Sequence, residues 1–356
     1  MRKDWFQKKV DSFSRLSGYK KPDKYSNVIK LDSNENYAIS SEFLQGLINE
    51  TKEKMDAREY PLGGSERLVS SLARYVKMPT EMVGVGNGSD QIIDLILGNF
   101  ASKESKILTS EPTFGFFEER CKLYSIPTIK IPFDGNMSLH IEKFLSNSKK
   151  ANILYLDSPN NPTGFQFQRK ELEKIIQEFT GLVIIDEAYV EFSDYSVVDM
   201  ARKLNNLVVL RTLSKSFGLA GLRIGYFVAN KKTVDAFARV IQYPYPLNTV
   251  AIETGILALQ KSKYFLDIAD MVKKERTRII EKLREMKVFK VFDSKANFVL
   301  FAADGASQRI HKALIEQGIV IKNLGKIGWH EGCLRVTVGS REMNSRFLTA
   351  IRDLLN

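Results

Sequence analysis

The sequence predicts an α/β protein in two parts, a large domain with a mainly parallel sheet flanked by helices and a smaller α+β domain. Short apolar runs alternate with amphipathic stretches from about Glu42 to Ala229, the pattern of parallel strands joined by helical crossovers. A segment with two prolines, Gln242 to Asn248, breaks that pattern, and longer helices with fewer strands follow it. The boundary is therefore set so that residues 42–246 form the large domain and 247–356 the small one. With 356 residues and 44% apolar content the chain can bury two cores of that size.

Composition narrows the function classes. The formal net charge is +11, yet bases and acids interleave, as in Lys273-Lys274-Glu275-Arg276 and Glu281-Lys282-Leu283-Arg284-Glu285. That is a solvated helix face, and no nucleic-acid reader motif accompanies it. The excess charge instead suits solubility or the attraction of anionic substrates. The start, Met1 to Phe6, has no apolar signal region, and no apolar stretch is long enough to span a bilayer, so a cytoplasmic protein without a membrane partner is expected. Cys121 and Cys333 cannot form a disulfide framework, and His140, His311 and His330 lack metal-ligand spacing, so no metal is expected.

Within the large domain, Val83-Gly84-Val85-Gly86-Asn87-Gly88-Ser89-Asp90 runs into Ile92, Ile93, Leu95, Ile96 and Leu97, which read as a largely buried helix. Glycine-rich backbone thus meets a helix N-terminus, where free amides and the macrodipole favour an anion. Gly88, Ser89 and Asp90 are the candidate contacts, although Asp90 also suits a plain N-cap. The stretch lacks the Lys-Ser/Thr of a P-loop and the spacing of a dinucleotide fingerprint, which argues against a nucleotide. Next, the apolar Ile107-Leu108 precedes Pro112-Thr113-Phe114. Phe114 can stack on a flat heterocycle or fill the core. The run Ile153 to Leu156 enters the turn-dense Asp157-Ser158-Pro159-Asn160-Asn161-Pro162-Thr163-Gly164, where Asn161 is a candidate donor. The run Leu182 to Ile185 ends in Asp186-Glu187-Ala188-Tyr189, which sets an acid and a phenol at a strand end. An aspartate there is also a common turn residue.

The run Leu207 to Leu210 reads as a buried strand, and the polar segment Arg211 to Arg223 leaves its end, where α/β sheets place ligand crevices. An amine on Lys215, hydroxyls on Thr212 and Ser214 and the Arg223 guanidinium around one anion site suit an aldehyde that carries a phosphate ester. Pyridoxal 5'-phosphate is the candidate cofactor: Lys215 can form a Schiff base with its aldehyde while the others bind its phosphate. Asp186 would keep the pyridine nitrogen protonated, which the ring needs to act as an electron sink. Tyr189 and Asn161 could reach the phenolic oxygen. Alone, the Lys215 segment also reads as a solvated basic loop. Beyond residue 246 come a helix candidate from Val250 to Gln260 and a charged helix from Lys263 to Met286. Short strands follow near Phe298 to Phe301 and Arg335 to Val338.

Taken together, Leu31-Asp32-Ser33-Asn34-Glu35-Asn36, Tyr60-Pro61, the Gly86 to Gln91 block, Ser158 to Gly164, Asp186 to Tyr189, the Lys215 segment and Leu334-Arg335-Val336-Thr337-Val338-Gly339 resemble the class I/II aminotransferases of pyridoxal-phosphate fold type I. Among these the histidinol-phosphate aminotransferases are the nearest likeness, and the resemblance covers nearly the whole chain. It implies that residues 1–41 form an arm belonging with the small domain. It makes Lys215 the Schiff-base lysine, Asp186 the partner of the ring nitrogen, and Tyr189 and Asn161 the holders of the phenolic oxygen. It puts the phosphate among the Ser89 and Asp90 amides, Thr212, Ser214 and Arg223, and stacks Phe114 on the ring. Tyr60 would reach the phosphate from the partner subunit of a homodimer. Arg335 would bind the α-carboxylate of the amino donor, with Asn34, Tyr19 and Lys322 as further substrate contacts. Lys322, in Ile319-Val320-Ile321-Lys322, stands where the family usually has arginine, and Asn36-Tyr37-Ala38-Ile39 departs from the family's proline and glycine. The implied reaction is transfer of an amino group between glutamate/2-oxoglutarate and a phosphorylated amino alcohol, histidinol phosphate first. Another phosphorylated ketone, as in sugar or capsule precursor synthesis, or decarboxylation of a phosphorylated amino acid are the alternatives.

Overall fold

The computed structural model describes residues 2–19 and 25–355. Twelve strands occur among them: β1 (Ile29–Leu31), β2 (Val83–Asn87), β3 (Ile107–Glu111), β4 (Thr128–Pro132), β5 (Ile153–Asp157), β6 (Leu182–Asp186), β7 (Leu207–Thr212), β8 (Ile224–Val228), β9 (Lys290–Val291), β10 (Phe298–Ala302), β11 (Ile319–Ile327) and β12 (His330–Thr337). The α-helices are α1 (Arg2–Ser14), α2 (Ser41–Asn49), α3 (Gly64–Val76), α4 (Gly88–Phe100), α5 (Gly115–Leu123), α6 (Ile141–Asn147), α7 (Arg169–Glu178), α8 (Lys231–Ala236), α9 (Thr249–Gln260), α10 (Ser262–Glu285), α11 (Ser307–Glu316) and α12 (Arg341–Asp353). No helix among the described residues is long and apolar enough to cross a membrane.

Seven strands form one sheet in the order β2-β8-β7-β6-β5-β3-β4, parallel except for β8. Strands β5 to β7 are apolar nearly throughout because both faces are covered. Ile153 and Tyr155 of β5 with Ile184 and Val208 face Ile92, Ile96 and Phe117 of α4 and α5. Leu154, Leu156, Val183 and Val209 face the opposite layer, where Leu72 of α3, Ile175 of α7 and Ile252 of α9 pack. The period of two along each strand therefore feeds two separate cores.

The second sheet, β1-β11-β12-β10-β9, is antiparallel apart from the pairing of β1 with β11. Its core takes Val272 and Ile279 of α10, Leu314 of α11 and Phe347 of α12. Packing groups the chain differently from the proline-marked break at 246. Helix α9, placed beyond that break by sequence, buries Ala251, Ile252 and Ala258 in the larger sheet's core, as does Phe265 at the start of α10. Only from Ile268 onward does α10 join the second core.

Sequence periodicity finds neither β1 nor the reversal of β8. Three residues are too few to show alternation, and Ile29 to Leu31 are a strand only because β11 supplies their ladder. Strands β2, β3, β5, β6 and β7 all end on one edge of the large sheet, and β8 begins there. Strand β3 pairs with β4 on one side and β5 on the other, so the chain reverses its direction of travel between β3 and β5 and opens a crevice at that edge.

Behind the crevice, Arg211 on β7 donates to Glu187 just past β6, Nε to Oε2 at 2.9 Å. Glu187 also accepts from the Val197 amide at 2.7 Å and from the Ser196 hydroxyl at 2.8 Å. Both charged side chains are buried, so removing one strands the other in a poor solvent. The substitution Glu187→Ala should cost about 3–5 kcal/mol, read as a lowered midpoint in denaturant-induced unfolding.

Candidate active site

The crevice encloses a cavity of about 1090 Å³ between the carboxyl edge of the large sheet and the β11–β12 face of the small one. Lys215 sits in the loop after β7. Its amine lies 3.4 Å from the Ser33 carbonyl and 5.7 Å from the Tyr189 ring centroid. Burial, and secondarily the charge of Arg335, push its pKa down to about 8, so an appreciable share of the amine is unprotonated near neutrality.

Asp186 closes β6. Its Oδ2 accepts from the Tyr155 hydroxyl at 3.0 Å and its Oδ1 from the Ala188 amide at 3.0 Å. Burial pushes its carboxyl up to about 6 against those two donors. Tyr155, fully buried and stacked on Phe117 at 3.6 Å between ring centroids, is a functional neighbour that sequence reasoning missed. A tyrosine in an otherwise aliphatic strand was the available signal, because a buried hydroxyl needs a partner.

At the N-terminus of α4, Ser89 and Asp90 line the cavity and Gly88 lies just behind them, with φ +73. The glycine is forced: a Cβ there would stand 2.6 Å from Arg223 Nη2, and one on Gly225 would stand 2.2 Å from the Gly88 carbonyl carbon. This close approach brings Arg223, Thr212 and Ser214 to the helix end. Thr212 Oγ1 lies 2.9 Å from Ser214 Oγ and accepts from the Ser214 amide at 3.0 Å. Asp90 is not the N-cap. Its carboxylate instead pairs with Arg223 at 2.7 Å, which fixes the guanidinium beside the free amides.

Tyr189, Asn161, Phe114, Asn34, Arg335, Lys322 and Tyr19 line the same cavity. Asn34 donates to the Tyr189 hydroxyl at 2.9 Å, and its own amide donates to Thr337 Oγ1 at 3.0 Å. It thus orients Tyr189 from the second sheet. Arg335 is buried and donates to the Asn161 side chain and to the Asp32 carbonyl at 3.0 Å. Among the described residues no carboxylate lies within ion-pair distance of it, and its Nε has no partner. Arg335 and Lys322 are register partners on β12 and β11, so two cations stand side by side on the cavity wall. Tyr19 is half exposed at the mouth, its ring edge-on to Phe116 at 6.3 Å. Tyr60 is the exception. It lies outside this chain's cavity, 71% exposed and stacked on Tyr245 at 4.6 Å.

An amine at pKa about 8 should react with a small aldehyde well below the pH at which ordinary lysines do. Borohydride trapping of the cofactor-free protein with that aldehyde, as a function of pH, should give half-maximal labelling of Lys215 near pH 8. Labelling that rises only toward pH 10 would contradict the lowered pKa.

A family model described as aminotransferase class I and II matches residues 26–351. The chain is 33% identical over 329 residues to the histidinol-phosphate aminotransferase of Thermoanaerobacter pseudethanolicus, covering 92% of this chain and 93% of that one. It is 34% identical over 335 residues to histidinol-phosphate aminotransferase 2 of Archaeoglobus fulgidus, covering 94% of each. The crystal structure of the histidinol-phosphate aminotransferase from Clostridium acetobutylicum superposes with a TM-score of 0.83 at 26% identity, over 92% of this chain and 99% of that one. With a match of that extent over both sheets and the cavity between them, this chain belongs to the class I and II aminotransferase family.

Proposed function

We propose that this aminotransferase uses pyridoxal 5'-phosphate and moves an amino group between glutamate/2-oxoglutarate and a phosphorylated amino alcohol, histidinol phosphate foremost. The observation that carries the reading is Arg335, a buried guanidinium without an ion-pair partner, facing the cavity that holds Lys215 and Asp186. A charge left so poorly compensated calls for an anionic ligand. The relatives' names supply the substrate, and Lys322 beside Arg335 supplies a second cation, suited to a doubly charged phosphate or to the two carboxylates of glutamate.

The residues fit the cofactor. The α4 amides at Ser89 and Asp90, with Thr212, Ser214 and Arg223, would take its phosphate, and Asp186 would meet the ring nitrogen. Asn161 and Tyr189 would hold the phenolic oxygen, and Phe114 would cover the ring. When bound, the cofactor supplies an aldehyde that takes the amino group and a cationic ring that withdraws electrons from the substrate's amino-bearing carbon. Asp186 holds the proton on the ring nitrogen, since a buried carboxylate gains most from a cation beside it. Lys215 Nζ takes the proton from the amino-bearing carbon and returns it at the reverse step, for which a pKa near 8 is well placed. Arg335 would grip the α-carboxylate of glutamate/2-oxoglutarate with two parallel donors, and the phosphorylated partner, which has no carboxylate, would present its phosphate to the same cation.

We further propose a cytoplasmic homodimer with no nucleic-acid or membrane partner, in which Tyr60 serves the partner subunit's phosphate site. Its exposure and its distance from this chain's own cavity support that assignment. Surface charges on α10 pair locally, as in Lys263 with Asp267 and Lys282 with Glu285.

Adding L-histidinol phosphate to the holoenzyme without a keto acid should convert its visible spectrum to that of the pyridoxamine form. Conversion by glutamate alone would leave transamination standing and move the substrate elsewhere; carbon dioxide release from a phosphorylated amino acid would replace it with decarboxylation. The variant Lys215→Ala should lose turnover by several orders of magnitude while still binding the cofactor. Sedimentation at assay concentration should give twice the chain mass, and a fully active monomer would rule out the role of Tyr60.

A further inference from the structure

Asp157 is a buried carboxyl group at the crevice to which the reading above gives no task. It ends β5 in register with Asp186 on β6 and lines the same cavity. Three donors converge on it. Thr113 Oγ1 at 3.1 Å and Asn160 Nδ2 at 2.8 Å reach its Oδ1, and the Asn161 amide reaches Oδ2 at 2.8 Å.

These bonds join two segments that the sheet itself leaves apart. Strands β3 and β5 share ladder pairs only at Ile107 with Ile153 and Leu108 with Leu154, so they part well before their carboxyl ends. Beyond that point side chains span the opening: Thr113 to Asp157, and Asn160 Nδ2 to the Pro112 carbonyl at 3.1 Å. Thr113 directly precedes Phe114, and Asn161 follows Asn160, so each bridged segment carries one wall of the cavity. Asn161 in turn accepts from Arg335. A carboxylate offers enough lone pairs to receive all three donors at once, which an amide or a hydroxyl does not.

We propose that Asp157 is a positioning residue that fixes the width of the crevice between the Phe114 and Asn161 walls and, through Asn161, the aim of Arg335. This role rests on the function proposed above. It acts through other residues, so the loss of Asp157 loosens cofactor and substrate together and leaves Lys215 and Asp186 in place.

The test is pyridoxal 5'-phosphate binding to the cofactor-free protein by equilibrium dialysis, with steady-state kinetics of the reconstituted enzyme alongside. Asp157→Ala should raise the cofactor Kd by about tenfold or more, as loss of charge-assisted hydrogen bonds implies. It should also raise the KM for glutamate by a larger factor than it lowers kcat. Thr113→Val, a near-isosteric change that keeps the fold if Asp157→Ala does not, should raise the cofactor Kd by about threefold to tenfold. The double variant should bind no more weakly than Asp157→Ala alone, because both changes break one bridge. A Thr113→Val protein with wild-type affinity, or losses that multiply in the double variant, would overturn the positioning role and leave the proposed function intact. A wild-type protein that takes up no pyridoxal 5'-phosphate would overturn both.

Discussion

Four ionisable groups, Lys215, Asp157, Asp186 and Arg335, line one crevice with most of their surface covered by protein, and none has an ion-pair partner among the described residues. Burial moves each pKa toward its neutral form, with Lys215 down to about 8, Asp186 up to about 6 and Asp157 up to about 7. Such an arrangement stands only if dipoles replace the lost water. Much of the local architecture does so. The Tyr155 hydroxyl and Ala188 amide serve Asp186, three donors serve Asp157, and the Asp32 carbonyl and Asn161 side chain serve Arg335.

That constraint also explains how the two sheets are tied. Tyr189 leaves β6 in the large sheet, but its ring and that of Phe192 are counted in the second core, edge-on to Phe298 in the case of Tyr189. Asn34 holds the Tyr189 hydroxyl, and Asn297 holds the Asn34 carbonyl at 3.1 Å. Arg276 on α10 closes the ring by donating to the Phe192 carbonyl at 2.9 Å and the Ala296 carbonyl at 2.8 Å. The site is therefore shared: the large sheet brings Lys215, Asp186 and the α4 amides, and the small one brings Arg335, Lys322 and Asn34. A relative shift of the sheets would move one set against the other, so binding of a ligand that spans both is coupled to how they are held.

Much of this was legible in the chain. Runs such as Leu207 to Leu210 and Leu182 to Ile185 mark buried strands, and the polar residues after them fall at the carboxyl edge, since the ends of parallel strands are where side chains can meet a ligand. Lys215, Asp186, Asn161 and Ser89, candidates in the sequence, line one cavity. Asn34, a candidate substrate contact in the sequence, lines the cavity with its side chain bonded to Tyr189. Arg335 is buried, and among the described residues its surroundings hold no carboxylate partner. The bond of Tyr155 to Asp186 and that of Thr113 to Asp157 are hidden in the sequence because their partners lie 31 and 44 residues apart.

The sequence by itself determined the α/β class, the central strands β3, β5, β6 and β7 and the polar blocks that follow them, because local hydrophobic periodicity and turn chemistry act over a few residues and are written directly in the chain. Tertiary structure alone decided the reversal of β8, the three-residue strand β1, the allegiance of α9 and the long-range hydrogen bonds from Thr113 to Asp157, Tyr155 to Asp186 and Arg335 to Asn161. Those depend on which distant segments meet, and a pairing such as Asn34 with Thr337, 303 residues apart, leaves no periodic mark on either partner.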